Sequence, residues 1–149
     1  MKYLIAIFIL ILIFIIGLLV FDKQGTDGKV CFEKKCFSVE VVDTPASREV
    51  GLMNRDYLAP NRGMLFVFET AGNYPFWMKN TLIPLDMIWI SEDKKVVYVA
   101  HDSQPCEADP CPIIRHNGTA KYVLEINTGL ASENEIDVGD DITLSVNIA

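Results

Sequence analysis

From Tyr3 to Phe21 the chain runs YLIAIFILILIFIIGLLVF, 19 residues without a charge, and this run constrains everything that follows it. As a helix rising about 1.5 Å per residue it measures about 28 Å, the thickness of one hydrocarbon core. The expectation is an uncleaved transmembrane anchor over residues 1–21, a polar tether (DKQGTDG) over 22–28 and an extracytoplasmic domain over 29–149. A secretory signal peptide is the rival reading, but the exit LLVFDKQG offers no small-residue cleavage site. Lys2 and the α-amine precede the span and keep the N-terminus cytoplasmic, although Lys23 weakens that bias. The expected location is therefore the cell membrane, single-pass, with the C-terminal domain outside.

Beyond the span, Asp22 to Ala149 holds 12 basic and 20 acidic residues, a net charge of −8. Nucleic-acid partners are not expected, because their binding domains carry a basic face. The acidity serves solubility; Asp137, Asp140 and Asp141 are its densest cluster and lack the spacing of a calcium loop. Cys31 and Cys36 bracket FEKK, and Cys106 and Cys111 bracket EADP. If Glu33-Lys34 forms a two-residue turn, Cys31 and Cys36 face each other at a Cα separation a disulfide accepts. Two local disulfides are expected in an oxidising compartment. A four-cysteine zinc site or a redox pair fits less well, because both favour C-x2-C spacing.

Brief apolar runs separated by turn residues fill the remainder. Lys35 to Asp43 alternates, with Phe37, Val39 and Val41 on one face, and Thr44-Pro45 opens a short helix. Further strands are expected over 64–68, 75–79, 85–91, 96–101, 119–126 and 142–148, with a second short helix over 128–134. The 17 residues from Asp102 to Gly118 have no periodicity, and a loop of that length is usually functional or disordered. The fold class is mainly β: a compact single-domain barrel or sandwich with two short helices, behind one transmembrane helix.

Several motifs carry a resemblance. They are Thr44-Pro45, Arg48-x-x-Gly51-Leu52-Met53-x-Arg55, Gly63-Met64-Leu65-Phe66-x-Phe68 and Phe76-Trp77-Met78-Lys79-Asn80-Thr81-x-x-Pro84-Leu85-Asp86. Cys106-x-x-Asp109-Pro110-Cys111-Pro112, Ala120-x-Tyr122-Val123-Leu124-Glu125 and Val138-Gly139-Asp140 continue the series. The chain thereby resembles the family catalogued as domain of unknown function 192. That resemblance implies a compact, mostly β and often exported domain; it implies no activity. The span and the Cys31/Cys36 pair lie outside the motifs.

The stretch FWMKNTLIPLDMIW places Lys79, Asn80 and Asp86 among apolar residues. The first expectation is that they and Thr81 brace a turn, since buried polar groups need partners. The alternative sets Lys79 and Asn80 at a pocket mouth with Asp86 fixing Lys79. Arg48 and Arg55 would share a face of a two-turn helix, as solvated side chains or as a fork for an anion. Met53, Met64, Met78 and Met87 with Trp77 raise a copper reading, which the absence of clustered motifs weakens. His101 and His116 flank the long loop and are weak metal candidates. Asn117-Gly118-Thr119 is a glycosylation sequon.

The leading functional expectation is a membrane-tethered, non-catalytic module that binds a small polar ligand or an envelope partner. Its candidate surface comprises the Trp77–Asp86 turn, Tyr74, Tyr122 and the 102–118 loop. The alternative is an extracytoplasmic hydrolase with Asp86 or Glu125 as general base, positioned by Lys79 or His116. No cofactor is expected.

Overall fold

Strand β2 (Cys36–Val42) follows the alternation of its sequence: Phe37 and Val39 are fully buried on one face, and Val42 points to the other. The computed structural model describes residues 28–146. The span expected over residues 3–21 lies outside them, and no helix among the described residues is long and apolar enough to cross a membrane.

Chain order begins β1 (Gly28–Cys31), β2, α1 (Pro45–Val50), β3 (Arg62–Gly72) and β4 (Leu85–Ile90). It continues with β5 (Val96–Ser103), β6 (Ala120–Asn127), α2 (Leu130–Glu133) and β7 (Thr143–Val146). These strands form one sheet in the order β5-β4-β6-β3-β2-β1-β7, antiparallel except for the β2–β3 pair. A parallel neighbour cannot be reached by a tight turn. The crossover from β2 to β3 carries α1, which is how that helix comes to lie against the sheet.

The expected closure into a barrel is not found, and one sheet stands where a sandwich would have two. The edges β5 and β7 approach at one end only. There Lys95 bridges Asp141, and the Ile142 and Val96 amides donate to the Lys94 and Asp140 carbonyls. Along the rest of their length the edge strands stay apart, so both faces of the sheet need separate cover. β4 is buried at all six positions, and β6 at all but its second and last. On one face Leu65, Ile88, Leu124 and Ile126 pack with Phe37 and with Ala131 of α2; on the other, Met64, Phe66, Met87, Trp89 and Val123 pack beneath Leu52 and Met78.

Two expected strands differ. Residues 75–79 make only the isolated Phe76–Ile114 bridge, because Pro75 has no amide to donate and Asn80 turns the chain at φ 54°. β3 extends to Gly72, past the expected end at Phe68. The second helix contracts to Leu130–Glu133.

Both expected disulfides are present. Cys31 and Cys36 are directly paired at the end of the β1–β2 hairpin with Cα atoms 4.0 Å apart, and Cys106 and Cys111 close the second loop. Each loop is short, so the chain-entropy model gives about 2 kcal/mol per bridge. Replacing either pair by alanines is expected to lower stability by about that amount, read as the denaturation midpoint in urea.

Candidate functional site

Thr44 has no helical backbone (φ −96°, ψ 153°), and its hydroxyl accepts from the Ser47 amide while the Ser47 hydroxyl accepts from the Thr44 amide. Pro45 presets the first turn. At the other end Gly51, at φ 49°, turns the chain; a Cβ there would also sit 3.1 Å from the Phe66 ring. None of the residues of α1 is buried. The helix is held down by Leu52, 2% exposed, and by Arg48, which donates to the Val67 carbonyl (2.8 Å) and to that of Asp43.

Between α1 and the sheet lies a cavity of about 140 Å³. α1 and its exit supply Arg48 to Met53, and β3 supplies Phe66 and Phe68. The segment after β3 adds Tyr74, Phe76, Trp77, Lys79 and Thr81. The exposed members Val50 and Trp77 mark the mouth. Aromatic contacts fix the walls: Phe68 stacks on Tyr74 with centroids 3.5 Å apart, and Phe66 meets Phe76 edge-on at 4.9 Å. The Trp89 indole donates to the Tyr74 carbonyl (3.1 Å), tying this segment to β4.

Glu125 is the floor. Its strand neighbours across both ladders are Met64 of β3 and Met87 of β4, neither able to donate a strong hydrogen bond. Gly63 allows β3 to lie close here, since a Cβ on it would stand 2.7 Å from the Glu125 carbonyl oxygen. The Glu125 side chain is 4% exposed, lines the cavity and forms no hydrogen bond or ion pair with another described residue. Burial without compensation pushes its carboxyl up to about 8, so at neutral pH it is mostly the neutral acid.

Of the expected site residues, Arg48, Tyr74, Trp77, Lys79 and Glu125 meet in this cavity. Lys79 lies over the Trp77 ring at 5.6 Å and pairs with Asp109 at 3.7 Å, not with Asp86. Arg55 stands apart from Arg48 because the helix stops at Val50. It forms a two-pronged pair with Glu40 at 2.6 and 2.8 Å, which holds the Glu40 carboxyl below its usual range. Asn80 serves as a left-handed turn whose carbonyl accepts from the Asn54 amide. Tyr122 lies on the opposite face, its hydroxyl accepting from Lys94.

Asp86 is fully buried and braces the fold, but through groups other than the neighbouring loop or Lys79. One oxygen accepts from the Asp102 amide and the other from the Ala131 amide, both at 2.9 Å, joining β4 to the end of β5 and the start of α2. His101 is exposed beside Ser132, whereas His116 is buried between Trp89 and Tyr98. The His116 Nδ1 accepts from the Gly118 amide, and burial lowers its proton affinity. No group of three or more His, Cys, Asp or Glu side chains among the described residues is placed to hold a metal ion. Asn117 of the sequon is exposed. Thr81, expected only to brace the turn, lines the cavity, and Phe66 and Phe68 are cavity residues that sequence reasoning did not single out; alternation along β3 and β6 puts Phe66, Phe68 and Glu125 on one face and was the available signal.

A family model described as "Uncharacterized ACR", the domain of unknown function 192, matches residues 28–144. The chain belongs to that family. Two solved structures share the family member's fold. One is a proposed transcription regulator from Sinorhizobium meliloti 1021, 32% identical, with a TM-score of 0.73 over 78% of this chain and 92% of the other. The second is a protein of unknown function from Novosphingobium aromaticivorans DSM 12444, 33% identical, with a TM-score of 0.71 over 78% and 82% of the two chains. No curated protein matches the chain.

Proposed function

We propose that this domain of unknown function 192 member is a non-catalytic binding module, tethered outside the membrane by its N-terminal span, that takes a small polar ligand into the cavity under α1. The observation that carries this reading is Glu125. An unpartnered carboxyl at the base of an aromatic-lined cavity costs stability in the empty protein and gains a partner only from a guest. The two disulfides support an oxidising compartment. The net charge of −8 on the part beyond the span argues against the regulatory role named for the Sinorhizobium protein.

The test is thermal unfolding of the full-length chain in detergent against panels of amino acids, sugars, nucleotides and metals including Cu(I). A saturating ligand that binds only the folded state at a hundredfold its Kd adds about 2.7 kcal/mol. The expected outcome is such a shift in the wild type and its loss in Val50→Trp, which fills the mouth from an exposed position. A ligand whose effect survives Val50→Trp binds elsewhere and defeats the reading; a flat panel transfers the case to an envelope partner. A shift confined to Cu(I) supports the soft-metal alternative.

One observation favours a second reading. A carboxyl that titrates near 8 suits general acid–base work, which leaves Glu125 rather than Asp86 as the base of the hydrolase alternative. Turnover of a panel compound, abolished in Glu125→Gln while that compound still raises the melting temperature, would establish it.

A further inference from the structure

Resting on the cavity reading above, we infer that the guest is a neutral group carrying a hydrogen-bond donor and acceptor side by side, a carboxamide or lactam, seated on the Glu125 carboxyl. Three features of the cavity converge on this class. The first is the floor. A carboxylic acid presents one O–H donor beside one carbonyl acceptor, and an amide presents the complementary pair, so the two form a closed double hydrogen bond. Burial keeps Glu125 in that neutral form at pH 7.

The second is the disposition of charge around the floor. From α1 come Arg48 and Glu49, and from the segment after β3 comes Lys79; β3 adds only the rings of Phe66 and Phe68, and the ladder neighbours of Glu125, Met64 and Met87, carry no charge. Both cations are already engaged. Arg48 donates from Nη1 to two backbone carbonyls, its guanidinium lies 5.0 Å from the Phe68 ring, and Lys79 is shared between Asp109 and Trp77. These charges stand at the walls, Glu49 opposing the two cations, whereas at the floor neither an anion nor a cation meets its counter-charge but a buried carboxylic acid.

The third is size. About 140 Å³ resembles the apolar cavity that admits benzene, so the guest, or the inserted group of a larger molecule, has on the order of six heavy atoms. Thr81, 8% exposed on the lining, holds only a 3.5 Å contact to the Lys79 carbonyl and supplies a second polar point for such a group. Phe66 and Phe76 cover its apolar remainder.

The experiment uses three probes of nearly equal shape on the full-length protein: 2-pyrrolidinone (donor and acceptor), cyclopentanone (acceptor alone) and pyrrolidine (a cation). At pH 6.5 the lactam is expected to bind at least tenfold more tightly than the ketone, and the cation not at all. Raising the pH to 9.5 should weaken the lactam about thirtyfold as Glu125 ionises. Glu125→Gln still offers a donor beside an acceptor, so the pH dependence disappears in it; Glu125→Leu loses the lactam at every pH. Equal binding of ketone and lactam, or pyrrolidine binding that tightens as pH rises, would overturn the amide assignment. If the lactam fails while another panel compound is blocked by Val50→Trp, the class is wrong and the cavity reading stands. If no compound of any class is blocked by that substitution, both fall.

Discussion

Glu125→Gln is expected to stabilise the protein at pH 8.5 by several kcal/mol and to remove most of a pH slope that the wild type shows. The sign follows from linkage. In the unfolded chain Glu125 titrates near the ordinary 4.5, and in the folded protein near 8, so between those values the folded state holds the extra proton. Stability is full below about pH 4.5 and declines by up to about 1.4 kcal/mol per pH unit as the pH rises toward 8. Over that window the loss is of order 3–5 kcal/mol. Glutamine has nearly the same shape and no charge to desolvate, so its unfolding free energy should stay nearly level across the same range. Urea titrations of both proteins at pH 5, 7 and 8.5 decide the matter. Parallel curves would show that the carboxyl finds a partner or water in solution.

Asp86→Asn gives the opposite result, a large loss of stability. Both Asp86 oxygens accept backbone amides, and an asparagine can accept with only one of them while aiming an N–H at another donor. Removing one partner from a buried charged hydrogen bond costs about 3–5 kcal/mol. For a domain of this size that is roughly a 10–20 °C fall in melting temperature. Ligand binding in the surviving folded fraction should be unchanged, since Asp86 lies away from the cavity. A variant that melted within 2–3 °C of wild type would remove Asp86 from the supports of the fold.

The two acidic side chains also show what could be read from sequence. Alternation in β2, the capped helix after Thr44 and the paired cysteines were legible because each depends on residues close along the chain. So was the burial of Asp86, which stands among apolar residues in FWMKNTLIPLDMIW. Its partners were not, because Ala131 and Asp102 arrive through α2 and β5, and nothing local specifies them. Arg48 and Arg55 illustrate the same limit: a helix running one further turn would have aligned them, but Gly51 ends it. The cavity depends on β3 and β6 being neighbours, so that Phe66 and Glu125 share a face. That adjacency is a matter of topology. The barrel expectation failed for a related reason, since strand content is nearly the same whether or not the edges join.

The place of β1 in the sheet has a consequence for the order of assembly. β1 is the first strand of the described chain, yet it is enclosed between β2 and the last strand, β7, with Gly28 opposite Val146. The hairpin with β2 forms early from adjacent residues, whereas the other side of β1 waits for the final segment. A contact between the two ends of the described chain carries the largest loop-closure entropy the fold contains, and such non-local pairings slow folding. During synthesis the nascent domain therefore exposes an unpaired β1 edge until residues 143–146 emerge. The Cys31–Cys36 bridge ties that same hairpin at its turn, fixing the register that β7 joins.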